Sequence, residues 1–122
     1  MIWLLVAAAI HAAFALAELF PWPQPILLGI ASAKLPDLGH GRQWTPAQQP
    51  IVATIVHNAG IYNAILAGGM LWAAWEGEPG RDTGRVLLLG AAAAGIFGTA
   101  TLRSLPTAIQ AVVGIAGFIM LR

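Results

Sequence analysis

Charge is scarce in this chain. Only 9% of its 122 residues are Asp, Glu, Lys or Arg, against about a quarter in an average soluble domain. So few charges cannot coat a water-exposed surface. With 58% of the residues hydrophobic, composition predicts an integral membrane protein made of one domain, residues 1–122. Cysteine is absent. That excludes disulfides, thiolate metal ligation and a cysteine nucleophile, and it leaves the redox compartment open. The formal net charge of +1 offers no basic field to nucleic acid. The first twenty residues lack the charged start of a signal peptide and carry His11 and Glu18, so they read as a mature helix.

What is present is apolar helix. Crossing a bilayer takes roughly 17–25 apolar residues, and four segments approach or meet that length: about 2–20, 51–75, 85–102 and 105–121. The fold class is therefore all-α, a four-helix membrane bundle. Pro21, Pro23 and Pro25 end the first segment, because proline cannot continue a helix. Pro50 and Pro106 stand at the starts of the second and fourth, where a missing N–H is harmless. Only Arg103 and Ser104 separate the last two segments, which predicts a tight antiparallel hairpin.

Residues 21–49 hold five of the eight prolines, with Lys34, Asp37, His40 and Arg42. They read as an ordered extramembrane loop whose apolar part, Pro25–Ala33, lies in the interface or re-enters the membrane. Trp3, Trp22, Trp44, Trp72 and Trp75 fall near segment ends or in this loop, as interfacial anchors do. Four spans put Arg81, Arg85 and Arg122 on one side and Lys34, Arg42 and Arg103 on the other. The count is even, and the terminal amine tips the expectation toward termini in the cytoplasm of a bacterial inner (plasma) membrane.

Segments three and four are rich in small residues. Ala91, Gly95 and Thr99 recur every fourth position, Ala94 and Gly98 form a second pair, and Gly114 and Gly117 lie in segment four. Small residues let helices approach closely in lipid. These are packing faces within the chain or in a homo-oligomer; ligand contact is the alternative.

Polar side chains within the spans are few, and such residues usually face a bundle interior and often mark function. His11 and Glu18 stand seven residues apart, on one face and roughly 10 Å apart along the axis. An imidazole and a carboxylate on one stripe suit acid–base work. The structural alternatives are a helix-end carboxylate wetted by the loop and a single interhelical bond. In segment two, Thr54, Asn58 and Tyr62 share a face, with Asn63 about 100° round from Tyr62 and His57 about 100° the other way from Asn58. Asn58, Tyr62 and Asn63 are expected to converge on one cavity, with His57 serving another contact; bonding between helices is the alternative. Gln110, with Thr99 and Thr101, completes the inventory. The two histidines within the spans, His11 and His57, have no obvious third ligand beyond Glu18, so neither metal nor cofactor is expected.

Taken together, these residues resemble the small membrane-protein family known as domain of unknown function 1304. The first shared block is His11, Glu18 and Trp22 in HAAFALAELFPW. The second and most specific is Asn58, Gly60, Tyr62 and Asn63, continuing into Leu66, Ala67 and Gly69. A third, AGIFGTAT, covers Ala94, Gly95, Gly98 and Thr101, and a weaker fourth holds Gln110. Ala59 stands where the family often has glutamine, and Val113 where it has proline. The resemblance implies a four-helix membrane protein and supplies no activity.

The functional expectation is a polar pocket inside the bundle, with Glu18, His11, Tyr62, Asn58 and Asn63 as the chemical groups and Gln110, His57, Trp22 and Thr101 as substrate contacts. A small lipophilic ligand, hydrolysed or isomerised without a metal, suits that inventory; an epoxide is one example. The alternatives are a proton or small-molecule transporter and an accessory subunit held by the glycine faces. The lipid bilayer is the one partner every reading shares, and nucleic acid is a partner in none.

Overall fold

The computed structural model describes residues 1–20 and 45–122. Among them are four helices and no strand: α1 (Ile2–Leu19), α2 (Gln49–Glu76), α3 (Arg81–Leu102) and α4 (Leu105–Met120). Three of them, α1, α2 and α3, are long and apolar enough to cross a membrane, and α4 is a shorter apolar helix. Large side chains point outward, with Ile55, Val86, Phe97 and Leu105 all more than half exposed, while the interior is built largely of alanine and glycine. A chain turned inside out in this way is suited to lipid, where close backbone packing replaces the hydrophobic effect as the driving force. The expected loop at residues 21–49, including its apolar part Pro25–Ala33, lies outside the described residues up to Trp44.

Two helix boundaries differ from expectation for identifiable reasons. The start of α2 is set by Thr45–Gln48, not by Pro50. The Thr45 side chain accepts from the Gln48 N–H at 3.3 Å, and Gln48 Oε1 accepts from the Thr45 N–H at 3.0 Å. This reciprocal pair is a capping box. Its turn leads directly into Gln49, and Pro50, the second residue of the helix, stands where a missing N–H costs nothing. The start of α3 lies one turn earlier than expected, at Arg81. Gly77 adopts the left-handed region at φ +69°, which ends α2 as glycine at that position commonly does. Gly80 N–H then donates to Gly77 O at 3.1 Å, and Arg81 pairs with Glu78. A Cβ at Gly80 would collide with the Ala73 carbonyl, so the turn accepts only glycine there.

The chain packs as two compact units, Met1–His11 with Ile65–Arg122, and Ala12–Ala64. The core of the first is Leu4, Ala7, Ala8, Met70, Ala73, Leu88, Ala91 and Leu121. Its α3–α4 hairpin is as tight as expected. Arg103 turns the chain in the left-handed region at φ 48°, and Ser104 caps α4, its side chain accepting from the Thr107 N–H. Gly84, Leu88, Ala91, Ala92, Gly95 and Gly98 form the buried stripe of α3, facing Ala111, Gly114 and Gly117 on α4. Ala94 is exposed, so of the Ala94–Gly98 pair only Gly98 belongs to the stripe. In the second unit, Ala15, Ala53 and Gly60 are buried.

Candidate functional site

The two helices of the second unit meet where each presents something small or polar to the other. On α2, Ala53, Gly60 and Ala67 recur every seventh residue and are all buried. Seven residues are nearly two turns, so these residues mark one inward stripe. Asn63 follows Gly60 by three residues and falls about 60° from it. On α1 the inward stripe runs Leu4, Ala7, Ala8, His11 and Ala15, and Glu18 continues it at the same spacing.

Glu18 and Asn63 come together. Asn63 Nδ2 donates to Glu18 Oε2 at 2.7 Å in a part-buried setting. The approach depends on Gly60, where a Cβ would lie 2.9 Å from Leu19 Cγ and 3.0 Å from Glu18 Cβ. One carboxyl oxygen is thus held by an amide, and the other accepts no hydrogen bond from any described residue. A carboxyl oriented through one oxygen and open at the other can give a proton to a bound group or take one from it.

The remaining candidates are placed as follows. Asn58 and Tyr62 are exposed, Tyr62 at 61%. They lie about 160–200° round α2 from Gly60, on the arc opposite that contact, and about 100–140° from Asn63. His57 is half-buried. In the first unit, His11 is buried in α1 at 1% exposure. Gln110 is also buried, and its Nε2 donates to the Ala91 carbonyl at 3.2 Å. Thr101 is exposed and returns its hydroxyl to the Phe97 carbonyl at 2.8 Å. Thr99 likewise donates to Gly95 O at 2.7 Å. Trp22 lies outside the described residues. Among the described residues, no three His, Asp or Glu side chains assemble as metal ligands.

Sequence reasoning grouped Asn63 with Asn58 and Tyr62 as residues on one broad arc of the helix that could converge on one cavity. The signal that separates them is the seven-residue recurrence of small residues at 53, 60 and 67, which fixes the inward face. The reasoning also missed Gly60 as the point of helix contact and the TPAQ capping box as the start of α2.

No curated protein and no solved structure matches the chain. The family resemblance does hold: a family model matches residues 5–122, nearly the whole length, and the chain belongs to the family described as Protein of unknown function (DUF1304).

Proposed function

We propose that this chain is an intramembrane acid–base enzyme for a small lipophilic substrate, with the Glu18 carboxyl as the proton-transferring group. The observation that carries the reading is the 2.7 Å bond from Asn63 Nδ2 to Glu18 Oε2. A carboxyl within an apolar helix is costly, and such groups usually mark function. Asn63 holds its orientation at one oxygen, and no described residue bonds the second, which we assign to the substrate.

Isomerisation or hydrolysis of an epoxide fits this arrangement. The protonated carboxyl gives its proton to the ring oxygen as a C–O bond breaks. The resulting carboxylate then takes a proton from the neighbouring carbon, which yields an unsaturated alcohol, or from an attacking water, which yields a diol. Either route restores the acid and needs no nucleophile beyond water. Asn58 and Tyr62, on the arc of α2 opposite Gly60, take no part in the proton transfer. We further infer a bacterial plasma membrane with the termini in the cytoplasm, supported by the terminal amine added to Arg81, Arg85 and Arg122.

The test uses the full chain in lipid nanodiscs with a panel of long-chain alkyl epoxides, read by mass spectrometry. Glu18→Gln keeps an oxygen that can accept from Asn63 but cannot relay a proton. Wild type is expected to convert at least one epoxide, and Glu18→Gln to slow conversion by at least about 10²-fold. Conversion by Glu18→Gln at the wild-type rate, or none by wild type across the panel, would sink the reading.

A further inference from the structure

Arg85 takes no part in the reaction proposed above. It is half-buried in the second turn of α3, and its guanidinium carbon stands 4.9 Å from the centre of the Phe118 ring on α4. That distance is within cation–π range of the ring. Its Nε is sealed off with no hydrogen-bond partner. Arg85 also makes no ion pair among the described residues. Arg81, one turn earlier, takes Glu78, and Asp82, three residues before Arg85, does not pair with it.

Arg85 thus has a ring beside its guanidinium and no acceptor among the described residues, and with Nε buried it is the two terminal nitrogens that can meet an acceptor from outside the chain. Guanidinium is planar and matches two-oxygen acceptors, carboxylate or phosphate, through paired N–H bonds. The position selects between the two. From Val86 to Leu102, α3 carries no charge, so Arg85 stands at the border between apolar helix and the polar turn, where headgroup phosphates lie.

We propose that Arg85, clamped by Phe118, is a binding site for a phosphate oxyanion carried by a lipid headgroup. The test is native mass spectrometry of the full chain in detergent, titrated with phosphatidylglycerol, with phosphatidylcholine for comparison and inorganic phosphate as competitor. Wild type is expected to retain one phosphatidylglycerol saturably and in preference to phosphatidylcholine. Arg85→Gln is expected to weaken retention at least about tenfold, because a charge-assisted pair is lost. Arg85→Lys keeps charge without the planar fork, and Phe118→Leu keeps bulk without the ring, so each should weaken retention about two- to fivefold. Arg122→Gln, at the exposed last residue, should leave it unchanged.

Displacement by millimolar inorganic phosphate would assign free phosphate as the ligand of the same site and overturn the headgroup. Resistance to displacement supports the headgroup. Equal retention by wild type and Arg85→Gln overturns the site. Where Arg85→Gln does not fold by circular dichroism, unchanged retention in both Arg85→Lys and Phe118→Leu overturns it equally.

Discussion

Gln110 donates its side-chain amide to the main-chain carbonyl of Ala91, 3.2 Å away on the facing helix of the C-terminal hairpin. The side chain is buried, and the bond joins two helices whose backbones are already close. Gln110 is therefore expected to hold the hairpin and not to contact substrate. Gln110→Leu removes the bond at nearly constant volume and should lower unfolding free energy by about 0.6–2 kcal/mol, measured by reversible unfolding in bicelles. Turnover at Glu18 should fall only in proportion to the folded fraction. A larger fall would return Gln110 to the substrate.

The glycines of the hairpin are not equivalent. A Cβ at Gly95 would lie 2.7 Å from Ala111 Cα and 2.8 Å from the Thr107 carbonyl, while one at Gly90 would meet nothing within 4 Å. Gly95→Ala presses on backbone, which cannot swing aside, and should destabilise by about 1–3 kcal/mol. Gly90→Ala places a methyl toward lipid on a helix that gains propensity, and should be neutral or stabilising by about 0.5–1 kcal/mol. Paired thermal unfolding curves in one detergent decide the matter. Equal loss in both variants would mean that backbone contact does not govern this hairpin.

The sequence made the four helices and the two-residue hairpin turn legible, because apolar length and proline position are strong local signals. Asn63 as the partner of Glu18 was only half legible. It stood among the candidates, but Asn58 and Tyr62 were placed with it because all three could line one broad arc. Measured from Gly60, where α1 touches α2, those two lie about 160–200° round the helix. The seven-residue row of Ala53, Gly60 and Ala67 carried the missing information. Arg85 gave no signal as a binding residue, because its character comes from Phe118, 33 positions later in sequence, and from the lack of an acceptor among the described residues.

The capping box at Thr45 makes a local prediction. Thr45→Ala removes the acceptor for the Gln48 N–H and leaves Gln48 Oε1 without the Thr45 hydroxyl, which now donates to it at 3.0 Å. A lost cap of this kind costs about 1 kcal/mol. The effect should stay local: hydrogen exchange should quicken about fivefold at Gln48, Gln49 and Ile51, and remain unchanged at Ala67–Ala73. Thr45→Ser keeps the hydroxyl and should restore protection. Faster exchange along the whole of α2 would show that the cap sets the stability of the entire helix.

Gly60 makes the sharpest link between packing and chemistry. A Cβ there would sit 2.9 Å from Leu19 Cγ and 3.0 Å from Glu18 Cβ, and Leu19 Cγ is a branch point, not a flexible tip. The last turn of α1 must therefore move by a few tenths of an ångström, against a hydrogen bond that is 2.7 Å long. Gly60→Ala should keep the fold, since alanine favours helix, yet loosen the Glu18–Asn63 pair. Two readouts separate these effects. Asn63→Leu should cost about 0.6–1.7 kcal/mol in wild type and less than half of that in the Gly60→Ala background. Turnover should fall about tenfold in Gly60→Ala with stability nearly unchanged, because misplacing a proton-transferring group costs rate steeply. Full turnover together with a lost coupling would show that the Asn63 bond does not position Glu18 for reaction, and would confine Asn63 to holding α1 against α2.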